Sequence, residues 1–252
     1  MGPTSNKQHN LMCNTKKTNM KKRTLIAGKV ALLLLATVSL PAAAQTTTFS
    51  ARSGSKMRIE GTSNIHDWQC ESPFIGGFME VGPNFPMESG QSVTPGKVEA
   101  KVTVFIQVRS LKSVEKDGKP YSDRMDEVMW EHMKATEDPT TKKILYPKIE
   151  YHLSELTLKE APKAKDAPYV FDAKGELAIA GVTNKITLVV NVLPLGEKKL
   201  KITGTTNLKM TDFKIEPPAP KIALGMIKTG DDVKLIFEWM LAQRKMPAAP
   251  TK

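Results

Sequence analysis

Residues 98–109 read VEAKVTVFIQVR. Val98, Ala100, Val102, Val104, Ile106 and Val108 share one face of an extended chain; Glu99, Lys101, Thr103, Gln107 and Arg109 share the other, where Phe105 is the one apolar intruder. A period of two with one dry and one wet face belongs to a strand of an antiparallel sheet. Comparable runs recur at 57–65, 68–81, 149–158, 169–180, 185–193, 199–210 and 232–239. They make about eight strands, enough to close a barrel around a filled or hollow interior. The stretch 83–96 is rich in Gly, Pro and Ser, 159–168 is a charged loop tip, and Gly181-Val182-Thr183-Asn184 is expected to form a tight hairpin connection. Connections this short join antiparallel neighbours and disfavour a parallel α/β sheet.

One helix interrupts the strands. Behind Ser122 or Asp123 as N-cap, Met125, Val128, Met129, His132 and Met133 share a face, Trp130 flanks it, and Glu127 and Glu131 point away; the helix is expected to end before Asp138-Pro139. The fold class expected is all-β, an antiparallel barrel with one amphipathic helix that plugs an end or lies along the side. Its Met-rich face suits either a core or an irregular apolar guest such as a lipid chain.

Residues 21–44 carry the three parts of a secretory signal: Lys21, Lys22 and Arg23, then eleven apolar or small residues at 30–40, then Pro41-Ala42-Ala43-Ala44. This predicts export to the periplasm or beyond with cleavage after Ala44, and a translation start at Met20. The apolar run is short of the roughly 20 residues of a membrane span, and Gln45 stands where a lipoprotein would need Cys, so no stable membrane anchor is expected. Three parts result: 1–44 as extension and signal, 45–245 as barrel, 246–252 as a tail.

The formal charge of +11 misleads. Seven of the 37 basic residues precede residue 45, where there is no acid, leaving 30 against 26 acidic residues. An excess of four, spread over wet strand faces, argues against a nucleic-acid partner. Arg58, Lys101 and Arg109 read as solvated, with anion binding at a barrel mouth the lesser alternative. Cys70 is the only cysteine beyond residue 44; an internal disulfide is excluded, and with no His or Lys beside it the residue reads as a small buried hydrophobe.

Catalytic signatures are missing. Gly61-Thr62-Ser63 starts like a nucleophile elbow, but Ile65 stands where a second Gly belongs. His66, His132 and His152 lie at no ligand spacing, so neither a metal nor a cofactor is expected. His66-Asp67-Trp68 is the most suggestive polar cluster, since a His beside a carboxylate can act as a general base. Adjacent strand residues face opposite ways, however. Asp67 capping a turn, with His66 and Trp68 filling a barrel end, is the reading preferred over catalysis.

Four segments resemble the YceI-like polyisoprenoid-binding family. They are 55–68 (SKMRIEGTSNIHDW), 98–111 with the helix and LYPKIEY at 145–151, 175–189 (GELAIAGVTNKITLV) with its Gly-Val-Thr turn, and 208–215 (LKMTDFKI) with its Asp-Phe motif. The resemblance implies a lipocalin-like extended barrel whose long apolar pocket takes an isoprenoid or another long-chain amphiphile without catalysis. His66-Asp67-Trp68 and the stretch 137–145 depart from the commoner pattern and are expected at the pocket's entrance. The pocket is expected to be lined by Met57, Ile59 and Gly61, by His66 and Trp68, by Val102, Val104 and Ile106, by Met129 and Met133 of the helix, by Ile149 and Tyr151, by Leu177 and Ile179, and by Ile186 and Leu188. Gly61, Gly175 and Gly204, all on inward faces, are expected to leave room for a guest. Two other readings stand beside the carrier: an envelope hydrolase or isomerase acting on a long-chain substrate with His66 as base, and a filled-barrel structural or adhesion module. A homodimer through an edge strand stays open.

Overall fold

The structure is a computed structural model that describes residues 46–219 and 227–244. The expected signal at 21–44 and the tail at 246–252 lie outside the described residues. Among the described residues twelve strands follow in order: β1 (Thr47–Ala51), β2 (Lys56–Ser63), β3 (Trp68–Ser72), β4 (Gly76–Val81), β5 (Gly96–Val98), β6 (Ala100–Gln107), β7 (Lys112–Ser113), β8 (Lys148–Glu160), β9 (Tyr169–Ile179), β10 (Val182–Pro194), β11 (Lys199–Lys209) and β12 (Thr229–Gln243), with helix α1 (Asp123–His132) between β7 and β8. Every pairing is antiparallel. The ring runs β1-β4-β6-β8-β9-β10-β11-β12 and closes by pairing β12 with β1, an eight-strand barrel.

The long strand β12 serves two partners along one edge. Its last residues, Leu241 to Gln243, pair with β1, whereas its earlier part, up to Glu238, pairs with β2. Beyond β2 the sheet continues through β3 to β7, which walls the barrel toward the end where α1 sits.

The expected alternation is clearest in β9, where Tyr169, Phe171, Ala173, Gly175, Leu177 and Ile179 are buried and the intervening residues less so. Boundaries differ from the sequence reading for local reasons. The run 68–81 is two strands, because Pro73 cannot donate a ladder hydrogen bond and breaks the pairing. The run 98–111 is broken at Glu99 and ends in a short 3₁₀ turn, Val108–Ser110. The hairpin after β9 turns on Ala180 and Gly181, with φ of 50° and 85°, so that Val182 already pairs with Ile179. Val182, Thr183 and Asn184 are therefore strand rather than connection; positive φ at both central residues suits a two-residue hairpin loop.

The stretch expected to be a plain polar turn, 83–96, folds under the barrel end remote from α1 and seals it. Phe85 is fully buried and stacks on Phe171 with ring centroids 5.8 Å apart. The Tyr169 hydroxyl is 2.9 Å from the carbonyl oxygens of both Glu88 and Gln91, and the Ser89 hydroxyl donates to Pro194 O at 3.0 Å. Phe49, Val81, Leu158, Leu200 and Leu241 complete this dry end, each at most 2% exposed. A fully buried Phe or Leu contributes about 1.5–3 kcal/mol, so this cluster is the part of the interior that holds the barrel by side-chain packing alone.

Candidate functional site

Above that sealed end the barrel is hollow. A cavity of about 450 Å³ runs up to α1, within the size range of small-molecule sites. Its walls are aliphatic: Val102, Val104 and Ile106 from β6, Ile149 and Leu153 from β8, Leu177 from β9, Leu188 and Val190 from β10, Ile202 from β11. Its exposed lining residues gather at one end: Ile65 and His66 in the β2–β3 turn, Tyr121 and Arg124 at the start of α1, and Lys209 at the end of β11. The cavity is thus a blind tube with an apolar barrel and a polar mouth.

The structure brings together all the expected lining residues except Gly61. Met57, Ile59, His66, Trp68, Met129, Met133, Tyr151, Ile179 and Ile186 line the cavity with those just named. Gly61 does not, because the Trp68 ring lies over it: a Cβ on Gly61 would come within 2.2 Å of Trp68 Cζ2. Gly175 sits likewise under the Tyr151 ring, and Gly204 under Phe237. These three glycines make no gap for a guest. Each lets an aromatic ring on the neighbouring strand lie flat against the wall instead of projecting across the lumen, and the lumen stays open for that reason.

Helix α1 lies across the mouth. The Ser122 side chain accepts a hydrogen bond from Met125 N at 3.3 Å, the cap expected of it. The helix stops at His132, earlier than expected, with Lys134 in the left-handed region at φ 55°. Met125, Val128, Met129, His132 and Met133 face the cavity. On its other side Asp126 is 3% exposed, where one carboxylate oxygen accepts from Ser113 N at 2.6 Å and the other pairs with Lys112 Nζ at 3.1 Å. Trp130 Nε1 donates to Leu111 O at 3.2 Å while Lys112 Nζ lies 4.3 Å from its ring centroid. Sequence reading passed over Asp126, whose charge in the first turn looks solvated until β7 is placed behind it. Asp126→Ala leaves the Ser113 amide without this acceptor and is expected to cost about 2–3 kcal/mol. The check is a lower thermal midpoint with faster tryptic cleavage at Arg124.

At the rim, His66 Nδ1 donates to Asp67 O at 2.7 Å, leaving Nε2 to accept from the Tyr121 hydroxyl at 3.2 Å. The contact to Asp67 is therefore to its backbone carbonyl and not to its carboxylate. His66 is exposed, and the barrel-end filling expected of it falls to Trp68, whose Nε1 donates to Thr62 O at 3.1 Å. His132 Nδ1 donates to Glu216 O at 2.8 Å, tying α1 to the segment after β11. His152 lies on the outer face near Thr103. Among the described residues no three His, Cys, Asp or Glu side chains gather where they could hold a metal ion. The stretch 137–145, expected at the entrance, contributes nothing to the lining; it closes on itself through a Glu137–Ile144 bridge.

Cys70 is fully buried in the wall, and burial, reinforced by the Asp126 charge, pushes its thiol up to about 12. At pH 8 the folded protein is expected to resist iodoacetamide for hours and to react within minutes in denaturant, read by mass spectrometry, because the thiolate is the nucleophile.

Sequence reading missed most of the β11–β12 wall: Leu208, Met210, Val233, Leu235, Phe237 and Trp239. The Gly204 face, which Leu208 and Met210 share, had been turned inward without naming them as lining; on β12 the alternation was visible, but nothing local said which face turned inward. Phe213 of the Asp-Phe motif is also lining and 3% exposed; the short turn holding it is fixed by Asp231, which accepts from Thr211 N at 2.9 Å and Thr211 Oγ1 at 2.7 Å.

No curated protein sequence matches the chain. Among solved structures it is similar to a polyisoprenoid binding domain from Saccharophagus degradans implicated in plant cell wall breakdown, at TM-score 0.51 and 12% identity over 78% of this chain and 98% of that one. It is also similar to Burkholderia cenocepacia BcnA, at TM-score 0.48 and 16% identity over 74% and 95%, and to the Campylobacter jejuni YCEI protein, at 0.41 and 20% over 70% and 85%. Identities this low speak to the fold alone, and the first of these likenesses carries that point. Residues 39–241 match the YceI-like domain, which spans the barrel from β1 to within two residues of the end of β12, and the chain belongs to that family.

Proposed function

We propose that this protein is an exported, non-catalytic carrier that sequesters a polyisoprenoid or a similar long-chain amphiphile in its barrel. The observation that carries the reading is the blind apolar tube of about 450 Å³ with its polar residues gathered at the mouth. An aliphatic wall holds a chain by area buried, at roughly 25 cal/mol per Å². The lining on β12 runs from Thr229 to Trp239, about 33 Å of strand at roughly 3.3 Å per residue, which the usual tilt of barrel strands makes about 25 Å of depth. A solved relative described as a polyisoprenoid binding domain supports the same ligand class. Export rests on the charged, apolar and small-residue segments of 21–44.

The His66-base reading is the weaker one, because the imidazole is oriented by a carbonyl and a phenol rather than by a carboxylate. The test is native mass spectrometry with lipid extraction on protein purified without detergent from the periplasm of an expression host. Near-stoichiometric long-chain lipid, unchanged in His66→Ala, and an N-terminus at Gln45 are the expected results. A clean apo mass that stays apo after incubation with prenyl lipids would overturn the carrier reading.

A further inference from the structure

All four cation–ring contacts among the described residues lie on one flank of the molecule, and they form a chain. Phe74, 47% exposed, meets Phe105 with ring centroids 6.2 Å apart, and Lys148 Nζ stands 4.8 Å from the centre of the Phe105 ring. Lys148 follows Tyr146 and Pro147 in sequence, and Lys134 Nζ lies 5.9 Å from the Tyr146 ring. One turn before Lys134, the Trp130 ring takes Arg109 Cζ at 5.2 Å and Lys112 Nζ at 4.3 Å. Arg109 leads back to the start, because its neighbour Val108 donates its N–H to Pro147 O at 2.9 Å. Rings and cations thus alternate in a belt at the α1 end, where β6 finishes and β8 begins, beside the mouth of the tube.

The belt carries an excess of positive charge. Among the described residues Lys112 is the one of its four cations that pairs with a carboxylate, that of the buried Asp126; Glu150, in register with Phe105, is the other acid there. On β2 and β11, by contrast, Arg58 pairs with Glu60 and Glu71, and Lys201 with Glu238. The apolar part is open to water as well, with Leu145 63% exposed and Tyr146 38%. Packing accounts for the inner faces of two rings, since Phe105 covers Gly76 and Tyr146 covers Gly181. It accounts neither for the exposure of Phe74 and Leu145 nor for the unpaired cations beside them. Aromatic rings with one wet edge, set among Lys and Arg whose stems lie along apolar surface, are what a membrane–water interface selects.

We propose that this belt docks the protein reversibly on a membrane carrying anionic lipid, with the rings at headgroup depth and Arg109, Lys134 and Lys148 against lipid phosphates. Each basic residue held at such a surface is worth about fivefold in binding. The docking surface goes beyond the carrier reading and stands without it, since an empty barrel has the same outer face. Docked this way, the mouth opens beside the leaflet, with the exposed Ile65 and Tyr121 on its rim.

The test is flotation of the protein, as recovered from the periplasm of an expression host, with vesicles of phosphatidylcholine alone or mixed with an equal part of phosphatidylglycerol. Neither contains a prenyl lipid. The wild type is expected to float with the mixed vesicles and to stay behind with phosphatidylcholine. Release is expected as salt rises from about 0.1 M to about 1 M and the Debye length falls from roughly 10 to roughly 3 Å. Arg109→Glu combined with Lys148→Glu is expected to weaken binding at least about thirtyfold. Lys163→Glu combined with Lys165→Glu makes the same change of charge on the exposed β8–β9 loop, away from α1, and is expected to leave binding nearly unchanged. Arg109→Gln with Lys148→Gln, which removes charge without adding any, is expected to give the same ordering and serves if the reversal disturbs the fold. A wild type that ignores the mixed vesicles would overturn the proposal, and so would binding that the belt variants keep or that both pairs of variants lose equally. None of these outcomes touches the carrier reading, which native mass spectrometry tests separately.

Discussion

An Ala173→Phe protein is expected to fold normally and to carry no lipid. Ala173 points inward from the middle of β9, is 5% exposed, and lies in register with Leu156 on one side and Leu188 on the other, both of which line the cavity. A benzyl group there crosses the lumen below the mouth. It fills open space instead of competing with a packed core, so the strain that follows overpacking is small. Affinity for a long-chain probe is expected to fall at least about a hundredfold, or 2.7 kcal/mol, with a thermal midpoint within a few degrees of the wild type. Ala178→Phe, on the outer face of the same strand, is the control and is expected to change neither. Full lipid occupancy in Ala173→Phe would mean that the chain does not lie in the tube.

The largest stability loss is expected from Gly77→Ala. Gly77 sits in β4 at φ 131°, opposite Val104, and a Cβ there would lie 2.1 Å from Thr103 O and 3.0 Å from Val104 Cα. Both are backbone atoms of the neighbouring strand, which no rotamer change can move. Left-handed strain and a broken β4–β6 pairing together are expected to cost about 3 kcal/mol or more, a fall in thermal midpoint of roughly 10 °C for a domain of this size. Gly96 makes the comparison clean: its φ is 147°, but nothing lies within 4 Å of its would-be Cβ. Gly96→Ala is therefore expected to lose only the conformational part, about 1 kcal/mol. If the two variants melt together, the close approach at Gly77 is not what fixes β4 against β6.

Much of this was legible because alternation on long strands states which side chains share a face. Val102, Val104, Ile106, Leu177, Ile179, Ile186 and Leu188 were placed inward by periodicity, and the cavity lining contains every one. Strand β1 was invisible, since five residues, TTFSA, carry one large apolar side chain and no repeat. Its role as the strand that closes the ring depends on the distant end of β12, a non-local pairing no local pattern encodes. The inward glycines were placed on the correct face and given the wrong meaning, because a glycine's neighbour across a strand pair is set by register, not by sequence distance. Asp126 and Phe85 were passed over for the same reason: a charged first-turn residue and a lone aromatic in a polar loop become structural only when β7 and Phe171 stand against them.

The Phe85 seal makes the tube behave as a cylinder with a piston. A chain withdrawing toward α1 leaves behind a volume that water reaches only past the departing lipid, into a wall of Val, Leu and Ile that gives it few hydrogen bonds. Each step outward therefore creates vacuum or demands collapse of the wall, and the resistance grows with the length already withdrawn. Dwell time should then lengthen steeply with chain length, and a Phe85→Ala protein, vented at the far end, should release its cargo faster while binding it by the same walls.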